Sequence, residues 1–414
     1  MTRRRAPLLG LLGANAISIA GNVLTLLAIP WFVLQTTHSA TRTGVTAAVG
    51  TVPIVLSAAF SGTVADRVGL RLTSIVSDLA SAAIVVSVPL LHATVGLRFW
   101  QLLVLVFCRG FLTTPGETAR SALLPDLVAP AGTTLERAMS GYDAVSRGAR
   151  MLGAPVAGIL IALLGAPNLL LIDAGTFLVS ASVVALLVPR PPRRVKERTR
   201  YLDDFKAGLR YLRQDRMARS VTVMCMGTNM LDAGLSSVLM PVHAATVLHS
   251  PQALGLLVGV MGGSGLAGAL AFGAWGQRLP RRVTFLVAFV VCGVPRFAVL
   301  AVRAPLPVIL VVSAVSGLAS GALNPIMDTA LLERIPGDLR ARVWGVIYAV
   351  CTAAVPAGAV LAGFGVARIG LSRALWAFGL TYLLVTLWPA FGDEWNGLER
   401  TATPDADLYA TMPL

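Results

Sequence analysis

Residues 62–71 read Gly62-Thr-Val-Ala-Asp66-Arg67-Val-Gly69-Leu-Arg71, and residues 273–282 read Gly273-Ala-Trp-Gly-Gln277-Arg278-Leu-Pro280-Arg-Arg282. These are one loop written twice, 211 positions apart. The same shift pairs Pro30 with Pro241, His38 with His249, Ser39 with Ser250, Gly44 with Gly255 and Thr73 with Thr284, without a gap over about 44 residues. The matches fall on turn glycines, loop arginines and a helix-kinking proline, where backbone geometry restricts the residue. A repeat of this length marks a chain built from two related halves.

The solvent of those halves follows from composition. Of 414 residues, 56% are hydrophobic and 13% charged, and the mean hydropathy is +0.75. A soluble domain carries about 25% charged residues. This chain cannot cover a water-facing surface, which excludes a soluble enzyme, a disulfide scaffold and a disordered hub. The net charge of +14 does not point to nucleic acid, because the basic residues sit in the gaps between apolar runs. Windows of about 20 apolar residues, the length that spans a bilayer, fall at about 8–34, 44–64, 72–92, 99–120, 139–164, 168–188, 220–242, 253–275, 283–303, 306–330, 343–364 and 373–391. The run beginning at Leu8 continues to about Leu34, too long for a signal peptide, and is read as the first span. With both termini inside, about 25 of the 34 Lys and Arg residues lie on the cytoplasmic side and about five outside, as the positive-inside rule requires. Arg120 is counted here among the cytoplasmic loop residues. The four cysteines (Cys108, Cys225, Cys292 and Cys351) fall in apolar stretches and read as reduced packing residues.

The expected architecture is all-α: a polytopic membrane protein with twelve transmembrane helices in two pseudo-symmetric six-helix bundles. Residues 1–188 form the first bundle, 189–219 a cytoplasmic linker, 220–391 the second bundle and 392–414 a polar, loose cytoplasmic tail. Within the linker, YLDDFKAGLRYLRQDR (201–216) is a basic amphipathic helix expected to lie on the anionic inner leaflet.

The loop at 62–71 resembles the signature G-x-x-x-D-R-x-G-x-[RK] of the major facilitator superfamily at every fixed position, and the copy at 273–282 departs from it at Gln277 and Pro280. Arg109-Gly110 is similar to that family's buried-arginine motif in span four. The stretches PGETARSALLPDLV and LERAMSGYDAVSRGARMLGAPVAGIL look like the branch that includes macrolide and siderophore exporters. The drug-antiporter kink G-P-x-x-G-G of span five is replaced by Ala154-Pro155-Val-Ala157-Gly158, with Arg150 in place of an upstream glycine. The resemblance implies a cytoplasmic gate. Gly62 allows close approach of helix ends, and Gly69 permits a tight turn with positive φ. Arg67 belongs to the same signature. Asp66 would face the N-terminal end of span eleven, and Arg71 would reach Glu117 or Asp78.

ATP hydrolysis by this chain is excluded, since the two lysines, Lys196 and Lys206, lie outside any P-loop. The four histidines (His38, His92, His243 and His249) map to outer span ends as interfacial polar residues and form no HExxH, so no metal is expected, and no cofactor either. Transport must run on gradients. Near mid-depth the sequence offers one acid, Asp232, and one base, Arg109. Asp232 could take up and release the coupling proton or neutralise a cationic substrate, or bond to Asn229 in a structural role. Arg109 would hold Asp232 ionised, bind an anionic substrate group, or join helices. Arg296 is also deep, but in span nine, which the resemblance makes peripheral. Asn15, Asn22, Tyr142, Asn229, Asn324, Trp344 and Tyr348 are the remaining cavity candidates, and Pro155 and Gly158 the helix-kink residues.

The reading is a monomeric secondary transporter in the cell (inner) membrane that exports a hydrophobic or amphiphilic small molecule by proton antiport. Its partners are the lipid bilayer, protons and a small-molecule substrate, with no nucleic acid. An importer or uniporter of a metabolite is the alternative, and an intramembrane enzyme or non-transporting receptor a remote one.

Overall fold

The computed structural model describes residues 2–190, 201–336 and 339–398. In chain order the helices are α1 (Thr2–Thr37), α2 (Ala40–Val68), α3 (Leu70–Thr94), α4 (Phe99–Ala131), α5 (Leu135–Leu164), α6 (Ala166–Leu187), α7 (Tyr201–Gln214) and α8 (Arg216–Gly234). A π-helical turn (Leu235–Leu239) then leads into α9 (Met240–Thr246), followed by α10 (Pro251–Trp275), α11 (Arg281–Ala301), α12 (Leu306–Ser320), α13 (Leu323–Arg334), α14 (Arg340–Ala353), α15 (Val355–Ile369) and α16 (Leu371–Phe391). Among the described residues, eleven segments are long and apolar enough to cross a membrane, with α8–α9, α12–α13 and α14–α15 each forming one. The 29-residue α2 fills the second place of the first half, packed on α4. Hydrocarbon offers no partner to a free N–H or C=O, so the chain satisfies its backbone within helices. Side chains such as Leu163, Leu186 and Phe391 are 73%, 82% and 83% exposed, a surface matched to acyl chains and not to water.

The two halves pack by the same rules. In the first, α1 lies on α5 and α6, α2 on α4, and α3 on α4 and α6; in the second, α8 lies on α15 and α16, α10 on α12, and α11 on α12 and α16. The turns repeat as well. His38 and His249 both take positive φ (48° and 49°), and each is followed by a serine N-cap, Ser39 on the Arg42 N–H and Ser250 on the Ala253 N–H.

Between the halves, α5 packs on α10 and α2 on α15, one contact and its pseudo-symmetric equivalent. Both rely on glycine. A Cβ at Gly158 would lie 2.8 Å from Gly255 Cα, and Gly44 abuts the Ala359 carbonyl in the same way. These contacts gather near the face that carries His38 and His249, termed the loop face. The α5–α10 contact continues from Gly158 and Gly255 through Pro155 against Gly259 to Met151 beside Gly263. Further towards the terminus face, methyls at Gly148 and Gly262 would meet nothing within 4 Å. The halves therefore meet at the loop face and part towards the other. Pro155 and Gly158 act here as contact residues between the halves, inside a continuous helix α5.

Three local expectations change. The amphipathic helix α7 packs on α14, with Gly208 against the Arg342 carbonyl and Val346, so protein covers part of the face expected to meet lipid. The chain after Gly392 forms a 3-10 turn (Asp393–Leu398) that buries Trp395 between Phe285 and Trp388, at ring distances of 6.1 and 5.9 Å. Residues 399–414 of the tail and 191–200 of the linker lie outside the described residues. Among the histidines, His243 is fully buried instead of interfacial, and among the cysteines Cys108 lies on the surface while the other three are buried.

Candidate functional site

Both broken spans of the second half interrupt at the same place. Helix α12 ends at Ser320 and α13 restarts at Leu323, while α14 gives way to α15 at Ala354. Span seven is irregular there too, its π-helical turn starting three residues after Asp232. Discontinuous helices and π-turns leave polar backbone and side chains free to line a cavity. A cavity of about 350 Å³ lies between these elements, and Asn229, Asp232, Asn324, Trp344 and Tyr348 all line it. A neighbouring cavity of about 330 Å³ shares Asn229 and Asp232 and adds Arg296. Tyr348 is 66% exposed, so the wall it belongs to is open.

Arg296, not Arg109, holds the acid. Arg296 Nη2 donates to Asp232 Oδ1 at 2.7 Å, with side-chain exposures of 6% and 37%. The arginine is fixed from behind by the Cys292 carbonyl, which accepts from Nε, and by Met261 Sδ at 3.2 Å from Nη1. Helix α11 thus sends a charge inward although its span was expected to be peripheral. Asn229 does not bond to Asp232; its Nδ2 donates to the Cys351 carbonyl at 3.1 Å.

Arg109 serves the first half. It donates to Asn22 Oδ1 at 2.7 Å and lies 3.8 Å from Asp173, whose carboxylate also accepts from the Thr25 and Thr176 hydroxyls. Asp173, in the second turn of α6, is fully buried.

A second network was not visible in sequence. Arg120 Nη1 donates to both oxygens of Asp78 at 3.0 and 3.1 Å, and its Nε donates to Asn15 Oδ1 at 3.3 Å. Ser180 donates to Asp78 at 2.7 Å and Tyr142 to Asn15 Oδ1 at 3.0 Å. One cluster thereby joins α1, α3, α4, α5 and α6. Arg120, counted as a loop residue, is 1% exposed, and Asn15, expected to line a cavity, is 0% exposed. The apolar window stops at the charged Arg120, whereas helix α4 continues to Ala131 with Pro115, Pro125 and Pro130 inside it; prolines are tolerated inside membrane helices. Glu117 and Tyr142 face a separate cavity of about 260 Å³ with Arg147 and Arg150.

The loop signature behaves differently from the expectation in one residue. Gly69 takes φ 98°, closing α2 and opening α3 in one step, a conformation suited to glycine. Arg71, however, reaches neither Glu117 nor Asp78, because Arg120 already occupies Asp78. Its Nη2 donates to the Ala185 carbonyl in the last turn of α6. Arg282, its counterpart 211 residues on, donates to the Pro389 carbonyl at the end of α16 at 2.9 Å. Both place a cation on the carbonyls that a helix C-terminus leaves unpaired. The surroundings of Gly62 and the side chain of Asp66 lie outside the described residues. Arg71→Met is expected to lower stability by about 1.5–3 kcal/mol, the size of one charge-assisted bond, while transport by the folded protein persists. Thermal unfolding in detergent beside a flux assay checks this; a flux collapse at unchanged stability would restore the gate role.

These features define a polytopic membrane protein with a polar cavity between helices of a duplicated bundle. The family model described as Major Facilitator Superfamily matches residues 11–231 and 222–394, and the chain belongs to that superfamily of small-molecule transporters. It is 33% identical over 407 residues to the multidrug efflux pump Tap of Mycolicibacterium fortuitum, covering 97% of this chain and 99% of that protein. It is 32% identical over 365 residues to the multidrug efflux pump Tap of Mycobacterium tuberculosis, covering 87% of each. Over 186 residues it is 27% identical to the staphyloferrin A transporter of Staphylococcus aureus, covering 44% of this chain and 46% of that one. The fold is shared with the nucleoside transporter NupG (TM-score 0.74, 14% identity, 97% of this chain and 100% of that one). It is shared also with a bacterial homologue of the human lysosomal transporter Spinster in an inward-facing, occupied conformation (TM-score 0.74, 13% identity, 97% and 99%).

Proposed function

We propose that this chain exports hydrophobic or amphiphilic small molecules by proton antiport, with residues 1–188 and 220–391 rocking as two bodies about the central cavity. The observation that carries this reading is the Asp232–Arg296 pair, whose acid is one-third exposed to a cavity while its base is buried. Similarity to the Tap multidrug efflux pumps over nearly the whole chain supports the direction of transport. The placement of basic residues supports a location in the cell membrane with both termini cytoplasmic. In that orientation the terminus face, where the halves part, opens to the cytoplasm. The protein works as a monomer.

In the proposed cycle, Asp232 is ionised and held by Arg296 when the cavity faces the cytoplasm. A proton arriving from outside neutralises Asp232 and releases the arginine. Substrate and proton compete for the same local charge, so binding of one favours departure of the other. An inside-negative potential adds about 2.3 kcal/mol per proton per 100 mV.

The test is uptake of a hydrophobic fluorescent cation into proteoliposomes with an acidic lumen. Molecules reconstituted with their cytoplasmic face outward are expected to concentrate the dye in the lumen. Asp232→Asn is expected to cut the pH-driven component at least about tenfold, or 1.4 kcal/mol. Full pH-driven uptake by that variant would remove Asp232 from coupling.

A further inference from the structure

Three of the four cysteines line the cavity of the second half, together with Met261 and Met327. The proton-coupling role proposed for Asp232 uses none of these sulfurs, yet they are not scattered. Cys225 on α8 lies with its Sγ 3.3 Å from Met327 Sδ on α13. Cys351 on α14 lines the same cavity and packs against the same stretch of α8 as Cys225. Cys351 also approaches the Thr222 carbonyl at 3.7 Å. Three helices thus bring two thiols and a thioether to one part of the cavity wall. Both cysteines are 8% exposed, sheltered from bulk water but reachable from the cavity.

We infer that Cys225, Cys351 and Met327 form a binding site for a soft monovalent d¹⁰ cation, Cu(I) or Ag(I). Softness decides the ion. Thiolate and thioether sulfur select Cu(I) over hard cations, which need oxygen ligands. Zinc would require about four His, Cys or carboxylate ligands, and among the described residues no three of His, Cys, Asp or Glu converge. Binding forms metal–sulfur bonds to one thiolate, one thiol and one thioether. One S–H bond breaks, its proton leaves through the cavity, and no electron changes hands. The resulting site is neutral, which suits a cavity within the membrane. Its ligands sit on α8, α13 and α14, of which α13 and α14 are halves of broken spans. A bound ion therefore staples the segments that must shift during transport, and it arrests the transporter.

The experiment measures binding without transport, so it stands or falls separately from the exporter reading. The purified, reduced full-length protein is titrated with Cu(I) as its coloured bicinchoninate complex, and loss of colour reports transfer. Wild type and the Cys108→Ser/Cys292→Ser variant are expected to withdraw one equivalent each. Cys225→Ser/Cys351→Ser is expected to bind at least 100-fold more weakly, and Met327→Leu about tenfold. Withdrawal of copper by the Cys225→Ser/Cys351→Ser variant as tightly as by wild type overturns the site, as does a wild type that withdraws none. If that variant fails to fold, X-ray absorption of the wild-type copper complex decides. Sulfur neighbours alone support the site, and nitrogen or oxygen neighbours overturn it.

Discussion

Arg120→Met is expected to lower the stability of the purified protein by about 3–5 kcal/mol, and Asp78→Asn by a similar amount, because either change leaves a buried charge or its donors without their partner. Both side chains are almost wholly enclosed, at 2% and 3% exposure. Water cannot take over the lost bonds, and the residual hydroxyls of Ser18 and Ser180 cannot neutralise a carboxylate. The double variant Asp78→Asn/Arg120→Met is expected to be no worse than either single one. Removing both charges eliminates the desolvation cost together with the attraction. The second half supports this: 211 positions after Asp78 stands Phe289, stacked edge-on against Phe285 at 4.8 Å. An apolar solution therefore exists at the matching place in the same fold. Unfolding midpoints of the four proteins in one detergent test the cycle. Strictly additive losses would show that the network is not a unit.

Gly255→Leu is expected to abolish transport while leaving each half folded. A Cβ there would lie 2.6 Å from the Ala154 carbonyl oxygen and 2.8 Å from Gly158 Cα. Both are backbone atoms of a helix, so neither can swing aside; α5 and α10 must separate. Overpacking of this kind costs about 1–3 kcal/mol or more, and the whole cost falls on the conformation closed at the loop face. At 3 kcal/mol the balance moves by a factor of about 150, enough to strand the protein in the other state. The readout is labelling of a cysteine placed at Leu34, which is 7% exposed and lines a cavity of about 630 Å³ at the loop face with His38 and His249. Labelling by an impermeant maleimide is expected to rise as flux falls. Unchanged labelling with unchanged flux would mean that the contact does not gate the loop face.

Much of the fold was legible because hydrophobic length and repeated turn residues are local properties. Pro30 and Pro241, Gly69, and the paired His-Ser turns all mark backbone geometry that neighbours in sequence dictate. Asn229, Asp232, Asn324, Trp344 and Tyr348 stand out as polar or aromatic residues in apolar runs, and the five line one cavity, whereas Asn15 from the same set is wholly enclosed. Partnerships were not legible. Which base meets Asp232 depends on how helices rotate about their axes, and the run VVCGVPRFAVL around Arg296 gives no sign of direction. Depth and the Arg109-Gly110 motif single out Arg109 without naming its partners, and Asn22 and Asp173 claim it because α1, α4 and α6 pack in the same half. Arg71 was assigned to a carboxylate by charge, yet the end of α6 offers carbonyls closer to hand. The interruptions at Ala322 and Ala354 carry no Pro-Gly signal strong enough to separate them from the many glycines around them.

Among the described residues, the buried charges named above find their partners within their own half, which bears on how the protein is made. Asp78 with Arg120, Arg109 with Asn22, and Arg71 with Ala185 lie wholly in the first six spans, as Asp232 with Arg296 and Arg282 with Pro389 lie wholly in the last six. Across the junction the chain presents glycine backbone, with the Thr41 hydroxyl donating to Gly363 at 3.4 Å. The buried charges Asp78, Arg120, Arg109 and Asp173 of the amino-terminal bundle are therefore neutralised inside that bundle. The bundle can finish assembling in the bilayer while the ribosome is still synthesising the remainder, and the late-arriving partner docks on a surface already complete.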